Sequence, residues 1–169
     1  IDRPVQIALP ATRVHRAAAE QVDDTDQAHA IILIHNSQFT IHDSRFTIGL
    51  MYLGWDIGGV NTKLAAVRDG VVLAVRGRAF ELQRDRNGLV ALLRDLAVDV
   101  GADDSVIHAV TMTAELSQMF RTKREGVDFV LTAVERAFPV AAARDAIRVY
   151  TVDGTFVTCD VARRAPLLV

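Results

Sequence analysis

Sulfur chemistry is almost missing from this sequence: its single cysteine, Cys159, has no partner for an internal disulfide. A reducing compartment therefore suits the chain best. An excess of one charge is missing too. The formal net charge of -2 gives no electrostatic reason to expect nucleic acid or an anionic membrane as a partner. No uninterrupted apolar stretch approaches the ~20 residues of a bilayer span. No charged segment followed by an apolar run opens the chain, so no secretory leader is expected, and a cytoplasmic soluble protein is the default expectation. What remains is ordinary for a globular protein: 169 residues, 50% of them hydrophobic and 24% charged. That is enough for one domain with a real core.

A methionine is also absent where one is usual. The chain begins at Ile1 and its first methionine is Met51, directly ahead of the best-patterned segment. Residues 1–50 are expected to be a peripheral extension, from a read-through or mis-assigned start. Residues 11–23 hold helix formers, and residues 31–34 (IILI) form a short apolar run compatible with a buried strand. A near-perfect tandem repeat follows, Ile34-His35-Asn36-Ser37-Gln38-Phe39-Thr40 and then Ile41-His42-Asp43-Ser44-Arg45-Phe46-Thr47. It reads either as a pair of alternating strands or as translated repetitive DNA. Two copies are too few for a solenoid. His35 and His42 recur because the unit recurs, so they are not expected to bind a metal.

From Met51 onward the local signals agree with one another. Residues 52–57 (YLGWDI) read as a strand running into two glycines, and residues 62–68 and 71–78 as two more. Asp69-Gly70 between the latter is a two-residue hairpin signal. A helix is predicted at 87–99, with Leu89, Val90, Leu92, Leu93, Leu96 and Ala97 on one face and Gly101 as its stop. Residues 105–112 read as a buried strand. Thr122 and Glu125 form a capping box opening a helix with Val127, Val130, Leu131, Val134 and Phe138 on one face. Pro139 is expected to end that helix, and residues 147–152 to form the last clear strand. The resulting order, βββαβαβ, is that of an α/β protein with a mixed sheet flanked by helices. Residues 153–169 are expected to break off mid-element at Leu167-Leu168-Val169.

The stretch from Asp56 to Lys63 (DIGGVNTK) is where chemistry is expected. Asp56 ends a strand and places a carboxylate at the sheet edge, suited to a metal or its water. Gly58 and Gly59 lack Cβ atoms, which allows close approach of backbone N–H groups to an anion and positive φ. Asn61 and Thr62 add neutral donors, and Lys63 a positive charge able to face phosphate. The spacing is not that of a P-loop, because no G-x-x-x-x-G-K run with a following helix is present. Read alone, the glycine pair is equally consistent with a plain turn.

With its surroundings, this hairpin resembles the first phosphate motif of the actin-like ATPase superfamily, which includes sugar kinases and Hsp70. The strand order resembles the N-terminal ribonuclease-H-like half-domain of that superfamily. Three stretches are similar to one family in particular: Leu53 to Lys63, Val110 to Leu116 (VTMTAEL), and Thr122 to Val127 (TKREGV). With Val149 to Gly154 (VYTVDG), they resemble the tetrahydromethanopterin-linked one-carbon pathway proteins of the hydantoinase/oxoprolinase group, near the methanofuran-biosynthesis synthases. The resemblance covers Met51 to Val169 and none of residues 1–50.

The resemblance implies a transferase that joins a furanmethyl diphosphate to a phenol oxygen, displacing diphosphate, as a step in one-carbon cofactor biosynthesis. On that basis Gly58, Gly59, Asn61 and Thr62 would hold phosphate oxygens, Lys63 would offset their charge, and Asp56 would position Mg²⁺. The implied ligands are Mg²⁺ with a diphosphate-bearing substrate or ATP. Glu115, just beyond the strand 105–112, would be a general base or a metal ligand. The plain alternative is a solvated loop glutamate starting the next helix. The family often has glycine where Ala114 stands, a departure at this very turn. Lys123 and Arg124 read as exposed residues of a helix's first turn, where positive charge opposes the dipole. Asp153-Gly154 reads as a turn, His108 as a core histidine, Tyr52 and Trp55 as packing residues, and Cys159 as no nucleophile.

The second phosphate motif of the superfamily, a further D-x-G hairpin, does not follow. Asp153-Gly154-Thr155-Phe156 has a single glycine and lies too close to the last strand. The expectation is an N-terminal half whose missing partner is the C-terminal half of the same fold, and which is inactive by itself. Two other readings stay open at this point. One is an ATP-dependent kinase or a hydantoin- or oxoproline-cleaving enzyme; the other is a non-catalytic folded fragment.

Overall fold

The computed structural model describes residues 49–169. The expectations for residues 11–23, 31–34 and the repeat at 34–47 lie outside the described residues. Three strands come first: β1 (Met51–Ile57), β2 (Asn61–Arg68) and β3 (Val71–Ala79). The β2–β3 connection turns on Asp69 and Gly70 at φ 51° and 75°. Positive φ at both central residues is what a tight hairpin between right-twisted strands requires, and Asp-Gly supplies it.

Helix α1 (Leu89–Asp99) follows and buries Leu89, Leu92, Leu93, Leu96 and Ala97. Gly101, at φ 68°, takes the left-handed conformation that ends it. Strand β4 (Ile107–Met112) leads into a 3₁₀ turn at Ala114–Leu116 and then helix α2 (Lys123–Ala137). The Thr122 hydroxyl accepts the Glu125 N–H at 3.2 Å. The Glu125 carboxylate reaches back to the Arg121 N–H at 3.0 Å, one residue before the cap. One orphan donor of the helix start, and the N–H just ahead of the cap, are thus satisfied locally.

Pro139 does more than end a helix, which corrects the expectation. It occupies the first turn of a separate helix, α3 (Pro139–Ala143), where its lack of an N–H costs nothing. The final stretch, expected to break off mid-element, holds β6 (Phe156–Thr158) and α4 (Cys159–Arg164), with β5 (Ile147–Tyr150) before them. A strand of three residues and a helix of six are too short for periodicity to register. What holds α4 in place is tertiary: Arg163 donates to both oxygens of Glu135 on α2 at 2.8 and 2.6 Å and to Asp128 at 2.9 Å.

The six strands lie in the order β3-β2-β1-β4-β5-β6. β1 is antiparallel to β2 and parallel to β4, and β4 is parallel to β5. Strand alternation then divides the side chains. Leu53, Trp55 and Ile57 share one face with Leu64, Val110 and Val149, all fully buried, and the apolar stripes of α1 and α2 complete this core. Burying each such leucine contributes roughly 2 kcal/mol. Tyr52, Asp56, Lys63 and Thr111 lie on the opposite face by the same register.

Among the described residues His108 is the one histidine, and it is buried. Its Nδ1 accepts the Trp55 indole N–H at 3.1 Å, and its ring lies 4.1 Å from that of Phe138. The indole N–H, costly to bury alone, is thereby satisfied.

Candidate functional site

The C-terminal ends of β1 and β4 meet at one edge of the sheet, with Ile57 opposite Met112. The Thr113 N–H donates to the Ile57 carbonyl at 3.0 Å, which holds the turn after β4 against the β1–β2 hairpin. Asp56 and Lys63 are direct cross-strand partners and so stand on the same face. The Lys63 stem passes over Gly77, its neighbour on β3, with Cγ 3.8 Å from where a Cβ would stand.

The two glycines work differently from expectation. Neither Gly58 nor Gly59 adopts positive φ. Gly58 is needed for close approach: its N–H donates to the Asn61 carbonyl at 2.9 Å, and a Cβ would lie 2.8 Å from that oxygen. Gly59 has open space where a Cβ would be. The Gly59 and Val60 carbonyls accept from Leu82 and Phe80 at 3.0 and 2.9 Å, pinning the turn to the segment after β3. Among the described residues, no protein acceptor takes the N–H groups of Gly59 and Val60. A turn with its carbonyls tied back and its N–H groups unclaimed is suited to an anion.

Thr62 is separated from this group. The pleat sends it to the helix face, away from Asp56 and Lys63, where it is fully buried and its hydroxyl has no partner among the described residues. Asn61 is exposed, with its side-chain oxygen 3.0 Å from where a Gly58 Cβ would stand.

Glu115 is neither a solvated loop glutamate nor the start of a helix. It sits in the 3₁₀ turn at 3% exposure, sealed by the closely approaching backbone of Gly126 on α2. One carboxylate oxygen is 3.9 Å from the Lys123 ammonium, and the other has no hydrogen-bond partner among the described residues. Burial raises its pKa above the usual carboxylate value, against the opposing pull of a backbone hydrogen bond and of Lys123. Lys123, expected to be simply exposed, is turned inward by this ion pair. Arg124 stays exposed and donates to the Arg163 carbonyl at 2.8 Å.

Among the described residues, no three carboxylate, histidine or cysteine side chains cluster to hold a metal. Asp56 is a single carboxylate at an open strand end. That fits Mg²⁺, which commonly takes one or two carboxylates and completes its shell with phosphate oxygens and water.

Sequence reasoning missed one part of this edge. Three loops surround an open cleft of about 470 Å³, lined by Val60, Gln83, Thr113, Leu116 and Ser117 among others. Single polar residues scattered over three loops carry no periodic signal, and only the fold assembles them.

Cys159 and Asp153 close the survey of candidates. The Cys159 thiol is buried, and burial together with Glu135 pushes its pKa up to about 12. A disulfide reagent at pH 8 is therefore expected to leave Cys159 unmodified in the native protein and to label it fully in urea. Native labelling at the unfolded rate would contradict the burial. Asp153 belongs to a turn with Gly154 at φ 82°, its carboxylate accepting from Thr151 and Thr155.

The fold and site together define an α/β domain with a mixed sheet whose strand-end hairpin carries an Asp–Lys pair. No family model matches the chain. It is 33% identical over 116 residues to (4-{4-[2-(gamma-L-glutamylamino)ethyl]phenoxymethyl}furan-2-yl)methanamine synthase of Methanocaldococcus jannaschii. The match takes in 68% of this chain and 32% of the relative, so the chain spans about a third of that protein's length. Among solved structures, an Aquifex aeolicus member of the Ppx/GppA family aligns with a TM-score of 0.29 and 17% identity, over 62% of this chain and 36% of that one. A second Aquifex aeolicus PPX-GPPA structure aligns with the same TM-score and identity, over 60% and 36%.

Proposed function

We propose that the chain is the phosphate-binding, N-terminal part of a synthase of methanofuran biosynthesis. In this reading it is a ribonuclease-H-like half-domain of the actin-like superfamily. The reaction joins a furanmethyl diphosphate to a phenol: the phenol oxygen forms a C–O bond to the methylene carbon. The bond from that carbon to diphosphate breaks, its electron pair leaves with diphosphate, and the phenol proton passes to a base.

One observation carries the proposal. Asp56 and Lys63 flank, on one face, a turn whose Gly59 and Val60 N–H groups have no acceptor among the described residues. Backbone donors and an ammonium in fixed positions stabilise the charge that develops on a leaving diphosphate without reorganising. Mg²⁺ held by Asp56 would supply further neutralisation of the leaving group. Glu115 is sealed in the turn adjoining the hairpin, so in this reading it fixes that turn rather than touching the phenol, whose proton passes to solvent. Similarity to a synthase whose name describes a phenoxymethyl-furan product supports the choice of reaction.

Titration of the ¹⁵N-labelled chain with Mg-diphosphate tests the site residue by residue. The amide signals of Gly58 to Lys63 are expected to shift at millimolar ligand, and Asp56→Asn or Lys63→Met to abolish the response. Unmoved hairpin amides, or an undiminished response in both variants, would overturn the assignment.

A further inference from the structure

The cleft beside the hairpin combines two features rarely left open to solvent together. Val60 in the hairpin turn is 68% exposed and Leu116 in the 3₁₀ turn 65%, and both line it. Isolated exposed apolar residues are unremarkable. Here, however, two from different loops border one concavity of about 470 Å³, within the size range of small-molecule sites.

Apart from the Glu81 carboxylate, the polar side chains lining the cleft are neutral. Glu81 also lines it, but Arg84 occupies both of its carboxylate oxygens, at 3.0 and 2.9 Å. The Ser117 hydroxyl oxygen accepts from the Gln83 amide at 3.2 Å. That leaves the Ser117 O–H as a donor and the Gln83 carbonyl as an acceptor, a pair matched to a group that both donates and accepts.

We infer that this cleft binds the ring of a phenol, with Val60 and Leu116 against its faces or edge and Ser117 and Gln83 at its hydroxyl. The choice of a phenol over another uncharged ring rests on the synthase reading above; the apolar walls and neutral polar pair do not. The site would seat the acceptor beside the hairpin that takes the diphosphate, which is the proximity a displacement needs.

Tyramine and 2-phenylethylamine, which differ by the phenolic hydroxyl alone, are the probes, titrated into the ¹⁵N-labelled 169-residue chain. Tyramine is expected to shift the amides of Gln83, Thr113 and Ser117, and 2-phenylethylamine to bind about tenfold more weakly, the worth of one hydrogen bond. Ser117→Ala is expected to erase that difference, and Leu116→Ser, at an exposed position, to weaken both amines. Signal dispersion in the same spectra verifies that each variant is folded. Equal binding of the two amines, or cleft amides that ignore tyramine, overturns the inference. If those amides stay still while the Gly58 to Lys63 amides answer Mg-diphosphate, the cleft assignment fails and the diphosphate site stands. The reverse pattern leaves the cleft assignment standing and removes the diphosphate site.

Discussion

Replacing Gly126 by alanine is expected to destabilise the protein by about 3 kcal/mol, the upper part of the range for overpacking. The melting temperature should fall by about 10 °C. A Cβ at this position would lie 2.4 Å from the Glu115 carbonyl oxygen and 2.7 Å from its Cα. Those atoms are backbone, so no rotamer change relieves the clash, and the 3₁₀ turn must move off α2. Glu115, at 3% exposure, would then lose its cover, and its separation from Lys123 would change. Gly59→Ala is the matched control: nothing lies within 4 Å of its Cβ position and its φ is not positive, so its stability should change by less than about 0.5 kcal/mol. Thermal melts of the two variants check the contrast. Equal melts would mean that the turn after β4 does not pack on α2 as described.

Stability is expected to fall by about 3 kcal/mol as the pH is lowered from 6.5 to 4, through His108 alone. Burial lowers its pKa from 6.5 to about 4. Within that window the unfolded chain binds a proton at this side chain and the native one does not, so acid favours unfolding. The contribution is complete above pH 6.5 and stops changing below the native value. The cause is visible in the contacts: Nδ1 is committed as an acceptor to Trp55, and the ring is packed on Phe138. A proton on Nδ1 would break the first contact and charge a site without a counter-ion nearby among the described groups. Glu115 opposes the trend, because a carboxyl whose native pKa is raised contributes stability that is lost as pH rises. The comparison must therefore be between the native protein and His108→Asn, which keeps an acceptor and removes the titration. Urea midpoints at several pH values should show a shallower acid loss in the variant. Parallel curves would place His108 outside the acid response.

The core elements were legible because their residues repeat. Six apolar positions spaced along residues 89–97 predict α1, and five of those side chains are buried, with Val90 only partly so. The Asp69-Gly70 pair specifies its hairpin by conformational freedom alone. The capping box at Thr122 was equally local. By contrast β6 and α4 have no periodicity to read, and Pro139 looked like a stop because a proline ends one helix and begins another with the same ring.

The hairpin shows the same division at the level of the site. Asp56 and Lys63 were expected to share an edge, and strand register makes them neighbours. Thr62 is one residue from Lys63, yet the pleat turns it to the buried face. Glu115 could be suspected from its position after a buried strand, but its inward orientation depends on Gly126, eleven positions later and on another element.

What the amino-acid order determined by itself was the main strands and the two long helices from Met51 to Tyr150 and the turn chemistry joining most of them. Periodicity, capping and glycine conformation all act within a few residues. Only the tertiary structure decided which polar groups face one another. It paired His108 with Trp55, buried Glu115, tied the hairpin carbonyls to residues 80 and 82, and drew three loops around one cleft. Such contacts bring together residues distant along the chain, and their energies depend on burial and register, which no local stretch of sequence encodes.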